Sequence, residues 1–148
     1  MATVRRHRLI HYPAAAVWEI LGDPESLPRW FPGIATCSYA ASDEPGVIGT
    51  RAVTTRAGLS LNEEIITLDP VLRRLQYRIA GGVLSHHLAT VDVIELSAEE
   101  CLTVYGTDAE PAVMALVLGG AAGEGLANVE QLLDENKNEN ENSNGSNS

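Results

Sequence analysis

Several side chains in this sequence could move a proton. In "NEEIITL" two carboxylates adjoin, Glu63 and Glu64. In "HHLATVDVIEL" two imidazoles adjoin, His86 and His87, with Asp92 further along. "CLTVYGTD" carries a phenol at Tyr105, on the same parity as Cys101, Thr103 and Thr107. If these runs are strands, neighbouring side chains point to opposite faces, so one member of each adjacent pair faces inward. Glu64 shares parity with Ile66 and Leu68, and Glu63 with Ile65 and Thr67. We favour Glu64 as the inward glutamate. A carboxylate among apolar neighbours has a raised pKa and can shuttle a proton. The competing reading is that both glutamates sit near a sheet end in solvent, which is the usual fate of charged residues and applies more strongly to Asp92.

Other chemistries find less support. His86 and His87 diverge from one another, His7 and His11 are remote, and no Cys-His spacing accompanies them, so no metal site is expected. "GLS" at 58–60 lacks the G-x-S-x-G pattern of a nucleophile elbow. Glycines 119, 120, 123 and 125 do not spell G-x-G-x-x-G, and Leu126-Ala127 stand where a phosphate-binding loop needs Lys and then Ser or Thr. No cofactor is expected.

The formal charge of −10, from 20 acids against 10 bases in 148 residues, disfavours nucleic acid and anionic lipid as partners. Arg5, Arg6 and Arg8 read as a solvated strand edge. The longest apolar run, Ala112 to Leu118 continuing through glycines to Ala122, is shorter than the roughly 20 residues a bilayer needs. No stable membrane insertion is expected, and a cytoplasmic location is the default. Cys37 and Cys101 do not make a disulfide framework.

These side chains need elements to hold them. "VRRHRLIHY" reads as a strand stopped by Pro13, and "AAAVWEILGD" as a helix with Val17, Ile20 and Leu21 on one face. "PESLPRWF" is at most a short second helix between Pro24 and Pro32. Six β-rich runs then alternate with turn signals from Ile34 to Thr107. Connections this short make antiparallel neighbours. A long helix starts behind Asp108 and Pro111. The order is α+β: a seven-stranded sheet that must bury one face under that helix. Residues 1–135 form the domain. The tail, 136–148, is rich in Asn, Glu and Ser with no apolar residue after Leu133, and is expected to be disordered. Glycines and alanines between 115 and 127 strip volume from the helix, each Gly at a cost of about 1 kcal/mol. They make either room for a ligand or a close helix–sheet contact.

Three stretches carry a resemblance: "YPAAAVWEILGDPESLPRWFPGI", "GVIGTR" and "EEIITLDPVLRRLQYRIAGG". In order and spacing the chain resembles the SRPBCC (START-like, Bet v 1-like) superfamily, and within it the polyketide cyclase/dehydrase and lipid-transport type. The resemblance covers about residues 4 to 133. It implies a helix-grip fold, in which a curved sheet wraps the C-terminal helix around an apolar cavity. The short helices that carry Trp30 and Phe31 would close one end, with Trp30 facing core or cavity, and the face of Tyr105 would look inward. In the implied strand order the first strand separates those of Cys37 and Cys101. Their backbones then lie about 9.5 Å apart, too far for a disulfide.

The resemblance also suggests the ligand-binding set: Trp30, Leu59, Glu64, His86, Leu88, Thr103, Tyr105, Met114 and Leu118. "AGLS" and "GGVLSHHL" are similar to the gate and latch loops of plant abscisic-acid receptors in this superfamily, with Leu59, Leu88 and His86 at matching positions. His87 departs from the arginine found there. Two functions follow. One is a carrier or sensor that binds a small hydrophobic molecule such as a lipid or polyketide. The alternative is an aromatase/cyclase-type enzyme that closes a ring by intramolecular aldol addition, with Glu64 or His86 as base and Tyr105 as donor. Cyclases of the family often carry pocket arginines, and parity alone does not bring Arg29, Arg51 or Arg56 inward.

Overall fold

The computed structural model describes residues 1–145. Strand β1 (Ala2–Ile10) leads into α1 (Ala14–Leu21) and the one-turn α2 (Leu27–Trp30). Strands β2 (Ile34–Ala41), β3 (Gly49–Thr55), β4 (Ser60–Asp69), β5 (Arg74–Ile79), β6 (His86–Ser97) and β7 (Glu100–Glu110) follow, and α3 (Ala112–Gly145) ends the described chain. The sheet order is β1-β7-β6-β5-β4-β3-β2. Every pair is antiparallel. This is the helix-grip architecture: one seven-stranded sheet, a long C-terminal helix, and two short helices between β1 and β2.

Local chemistry explains the breaks. Pro13 cannot continue the β1 ladder and stands immediately before α1, whose Val17, Ile20 and Leu21 are buried. Ser26 ties the α1–α2 corner: its hydroxyl approaches the carbonyls of Ile20 (2.5 Å) and Asp23 (2.8 Å) and accepts the Trp30 indole N–H at 2.9 Å. Trp30 is thereby a buried core residue with its one polar atom satisfied.

Helix α3 lies against β1 and β7, and its glycines decide between the two readings of the sequence. A Cβ on Gly119 would stand 2.5 Å from Val4 Cγ1, and one on Gly125 would stand 3.0 Å from the Trp30 ring. At these positions glycine permits close contact. Gly120 meets nothing within 4 Å. The N-terminal half of α3 keeps Val113, Leu116 and Val117 exposed. Contrary to the length argument, α3 does contain an 18-residue window of mean hydropathy 1.5, apolar and long enough by composition to cross a bilayer. A third of that window is buried.

Two further expectations change. Helix α3 continues to Gly145, so residues 136–145 are helical and exposed where disorder was expected. Residues 146–148 of that tail lie outside the described residues. Strand β1 is an edge of the sheet and does not separate the cysteines. Cys37 on β2 and Cys101 on β7 have β3 to β6 between them, and both are free.

Candidate functional site

On the concave side of the sheet, five adjacent strands contribute buried polar side chains to one row: Arg51 from β3, Glu63 from β4, Tyr77 from β5, His87 from β6 and Tyr105 from β7. Arg51 and Glu63 stand directly opposite in the β3–β4 register and are 3% and 5% exposed, so neither charge is screened by bulk water. Arg51 Nε donates to Glu63 Oε2 at 2.7 Å, and Nη2 lies 2.6 Å from the same oxygen. Nη1 donates to the Pro24 carbonyl at 3.3 Å, which ties the pair to the α1–α2 corner. The guanidinium lies 4.8 Å above the Tyr77 ring, a cation–π contact that a desolvated site strengthens. Burial pushes the Glu63 carboxyl above the ordinary range for a glutamate, and Arg51 opposes that push without reversing it.

The hydroxyls of Tyr77 and Tyr105 hydrogen-bond to one another inside the protein. Burial raises both phenols far above their ordinary value, so both stay protonated. His87 packs its ring 5.6 Å from that of Tyr77, and its Nδ1 accepts the Ile79 backbone N–H at 3.0 Å. Burial, reinforced by His86 next to it, lowers the His87 pKa to about 4. A neutral ring that accepts at Nδ1 carries its proton on Nε2.

An apolar cavity of about 50 Å³ opens beside this row, lined by Phe31, Val53, Leu61, Ile79 and Leu118 together with Glu63 and Tyr77. It has room for a few waters and falls far short of the roughly 300 Å³ at which drug-sized pockets begin. The Pro-bracketed aromatic pair thus divides its duties. Trp30 fills core, and Phe31, edge-on to it at 5.7 Å, forms cavity wall.

The structure redistributes the residues singled out from the sequence. Glu64 is on the outer face, where Arg78 Nη2 reaches it at 2.6 Å and Nε at 2.9 Å. The inward glutamate is Glu63. The cause is a register shift between Ile65 and Thr67: Leu68 packs on the core although Glu64, of the same parity, does not. His86 is exposed and His87 takes the inward place. Leu88 shares the outer parity of His86, and Asp92, on that same face, pairs with Arg74 at 2.7 Å. Thr103 is buried and donates to the Arg8 carbonyl at 2.9 Å, a core contact. Tyr105 is buried behind Tyr77, Met114 is half-buried on α3 outside the cavity lining, and Leu118 lines the cavity. Leu59 is 64% exposed at the tip of the β3–β4 turn. That turn and the β5–β6 loop sit at one end of the sheet, and Gly58, Gly81 and Gly82 adopt positive φ there. Sequence reasoning did not select Arg51, Glu63, Tyr77 or His87 for the polar row, nor Phe31 for the cavity wall.

Among solved structures the fold recurs widely. Protein XoxI from Bacillus cereus superposes with a TM-score of 0.76 at 21% identity, over 89% of this chain and 95% of that one. The Zhui aromatase/cyclase from Streptomyces sp. R1128 gives a TM-score of 0.62 at 21% identity, over 73% of this chain and 67% of that one. A norcoclaurine synthase point mutant from Thalictrum flavum, in complex with a transition-state analogue, gives 0.67 at 16% identity, over 92% and 96%. At these identities the likeness is one of fold. No protein of curated function matches the sequence. The profile of one family does match, over residues 1–134. The chain belongs to the polyketide cyclase / dehydrase and lipid transport family.

Proposed function

We propose that the protein binds a small hydrophobic molecule between its sheet and helix α3, as a carrier or sensor. The observation that carries this reading is the apolar cavity under Leu118 and Phe31, on the concave face beside a row of buried polar side chains. Its small volume is that of a closed state. A ligand enlarges it by displacing Phe31 and Leu118. The family's description as polyketide cyclase / dehydrase and lipid transport supports the ligand class. Titration with the neutral fluorophore N-phenyl-1-naphthylamine tests it. Saturable enhancement in the wild type, lost in Leu118→Trp, is expected. Absence of saturation, or equal binding by the variant, overturns the reading.

One observation favours a second reading, ring closure by aldol addition. Glu63 is a carboxyl raised by burial at the edge of an apolar cavity, as a base for an enolisable carbon would be. Deuterium incorporation into pentane-2,4-dione, followed by NMR, should then exceed the buffer rate with wild-type protein and fall to it with folded Glu63→Gln.

A further inference from the structure

The two Arg51 nitrogens that reach Glu63 converge on one oxygen. Nε is hydrogen-bonded to Oε2, and Nη2 crowds the same atom at 2.6 Å without a well-aligned bond. No hydrogen bond from the described residues reaches Glu63 Oε1, although the residue is only 5% exposed. The other polar group in the cavity wall, the Tyr77 hydroxyl, shares a hydrogen bond with Tyr105 in which either phenol can donate. The remaining lining is aliphatic and aromatic. Oε1 is not among the buried polar atoms that lack a partner, so it is open to a bound molecule, and a donor supplied to it gives a charge-assisted bond of about twice ordinary strength.

We propose that Glu63 Oε1 is the docking point for one hydrogen-bond donor on the ligand. The cavity therefore selects apolar molecules that carry a single hydroxyl, phenol or amine N–H over hydrocarbons and ethers of the same shape. The inference rests on the cavity-binding reading above and adds the ligand's polar group and the atom it meets. Arg51 is a positioning residue here: it holds the carboxylate by Oε2 and leaves Oε1 without a protein donor. A ligand with a carboxylate in that place would face Glu63 as a like charge and be rejected.

Calorimetric titration of the protein at pH 7 with 2-naphthol, 2-methoxynaphthalene and naphthalene tests this. The first two differ by one methyl group that removes the O–H donor. In the wild type 2-naphthol should bind at least about tenfold tighter than 2-methoxynaphthalene, a difference of roughly 1.4 kcal/mol. The preference should vanish in Arg51→Met/Glu63→Leu, which replaces the ion pair with apolar groups of similar volume. Equal affinity of all three compounds for the wild type overturns the proposal and leaves the cavity reading standing. Failure of all three to bind overturns both. A preference for 2-naphthol that survives in the folded double variant overturns the role of Glu63. If the double variant does not fold, the carboxyl carbon-13 resonance of Glu63 in the wild type decides: it should move with 2-naphthol and not with 2-methoxynaphthalene, and equal responses overturn the role of Glu63.

Discussion

Glu63 and Glu64 are adjacent on β4 and live in opposite environments. Glu63 is buried with Arg51 on the concave face, and Glu64 meets the half-exposed Arg78 on the outer face. The difference predicts unequal costs for the same chemical change. Glu63→Gln leaves the Arg51 charge buried and uncompensated, which costs about 3–5 kcal/mol. Glu64→Gln breaks a solvated pair and should cost no more than about 1 kcal/mol. Urea unfolding of the two variants measures both. Equal losses would mean that the β4 register is wrong by one residue.

The glycines of α3 give a second contrast. In Gly119→Ala the new Cβ meets Val4, whose branched side chain has little freedom to turn aside. Overpacking of this kind costs about 1–3 kcal/mol, set against about 1 kcal/mol gained in helix propensity. Gly120→Ala meets open space and keeps only the gain. Thermal unfolding should therefore move down for the first substitution and up for the second. A stabilising Gly119→Ala would show that α3 stands further from β1 than the structure has it.

Much of this architecture is legible in the residues themselves, and the part that is not has a physical cause. Turn signals and alternation mark every strand, and Pro24 and Pro32 bracket α2, because these are local effects. The facing of β4 is not local. Parity read back from Leu68 selects Glu64, and only the register shift after Ile65, set by pairing with β5, reverses it. Arg51 was within reach: counting back from the turn at Gly58 places it opposite Glu63, as the ladder does. Tyr77 carries no such signal, since its meeting with Tyr105 depends on two strands separated by β6. For the histidines parity is informative: His87 shares a face with Ala89, Val91 and Val93, and His86 shares one with Thr90 and Asp92.

The end of α3 predicts a silent deletion. Beyond Leu133 there is no apolar side chain, and residues 136–145 are exposed. Tyr12 is bonded to Asp134, so the cut must fall after that residue. Removal of 136–148 should leave the melting temperature within about 1 °C, because no apolar burial is lost. A fall of several degrees would show that this turn-rich composition stabilises the helix it extends.

His87 predicts the direction of a pH dependence. Its folded pKa is about 4, held down by burial first and His86 second, against an ordinary value of 6.5. Between about pH 6.5 and 4 the unfolded chain therefore binds a proton that the folded chain refuses. Stability from this group is full above the unfolded value and is lost as the pH falls through that window. Glu63 acts in the opposite sense, because a raised carboxyl pKa makes the folded state lose stability as the pH rises. The two effects overlap, so the wild-type curve alone does not separate them. The comparison that does is wild type against His87→Gln, with Glu63 common to both. Unfolding midpoints in urea at pH 7, 6, 5 and 4 should converge for the two proteins as the pH falls, the wild type giving up more. Parallel curves would mean that His87 accepts its proton in the folded state as readily as in the unfolded chain, and that the ring is not held neutral against Tyr77.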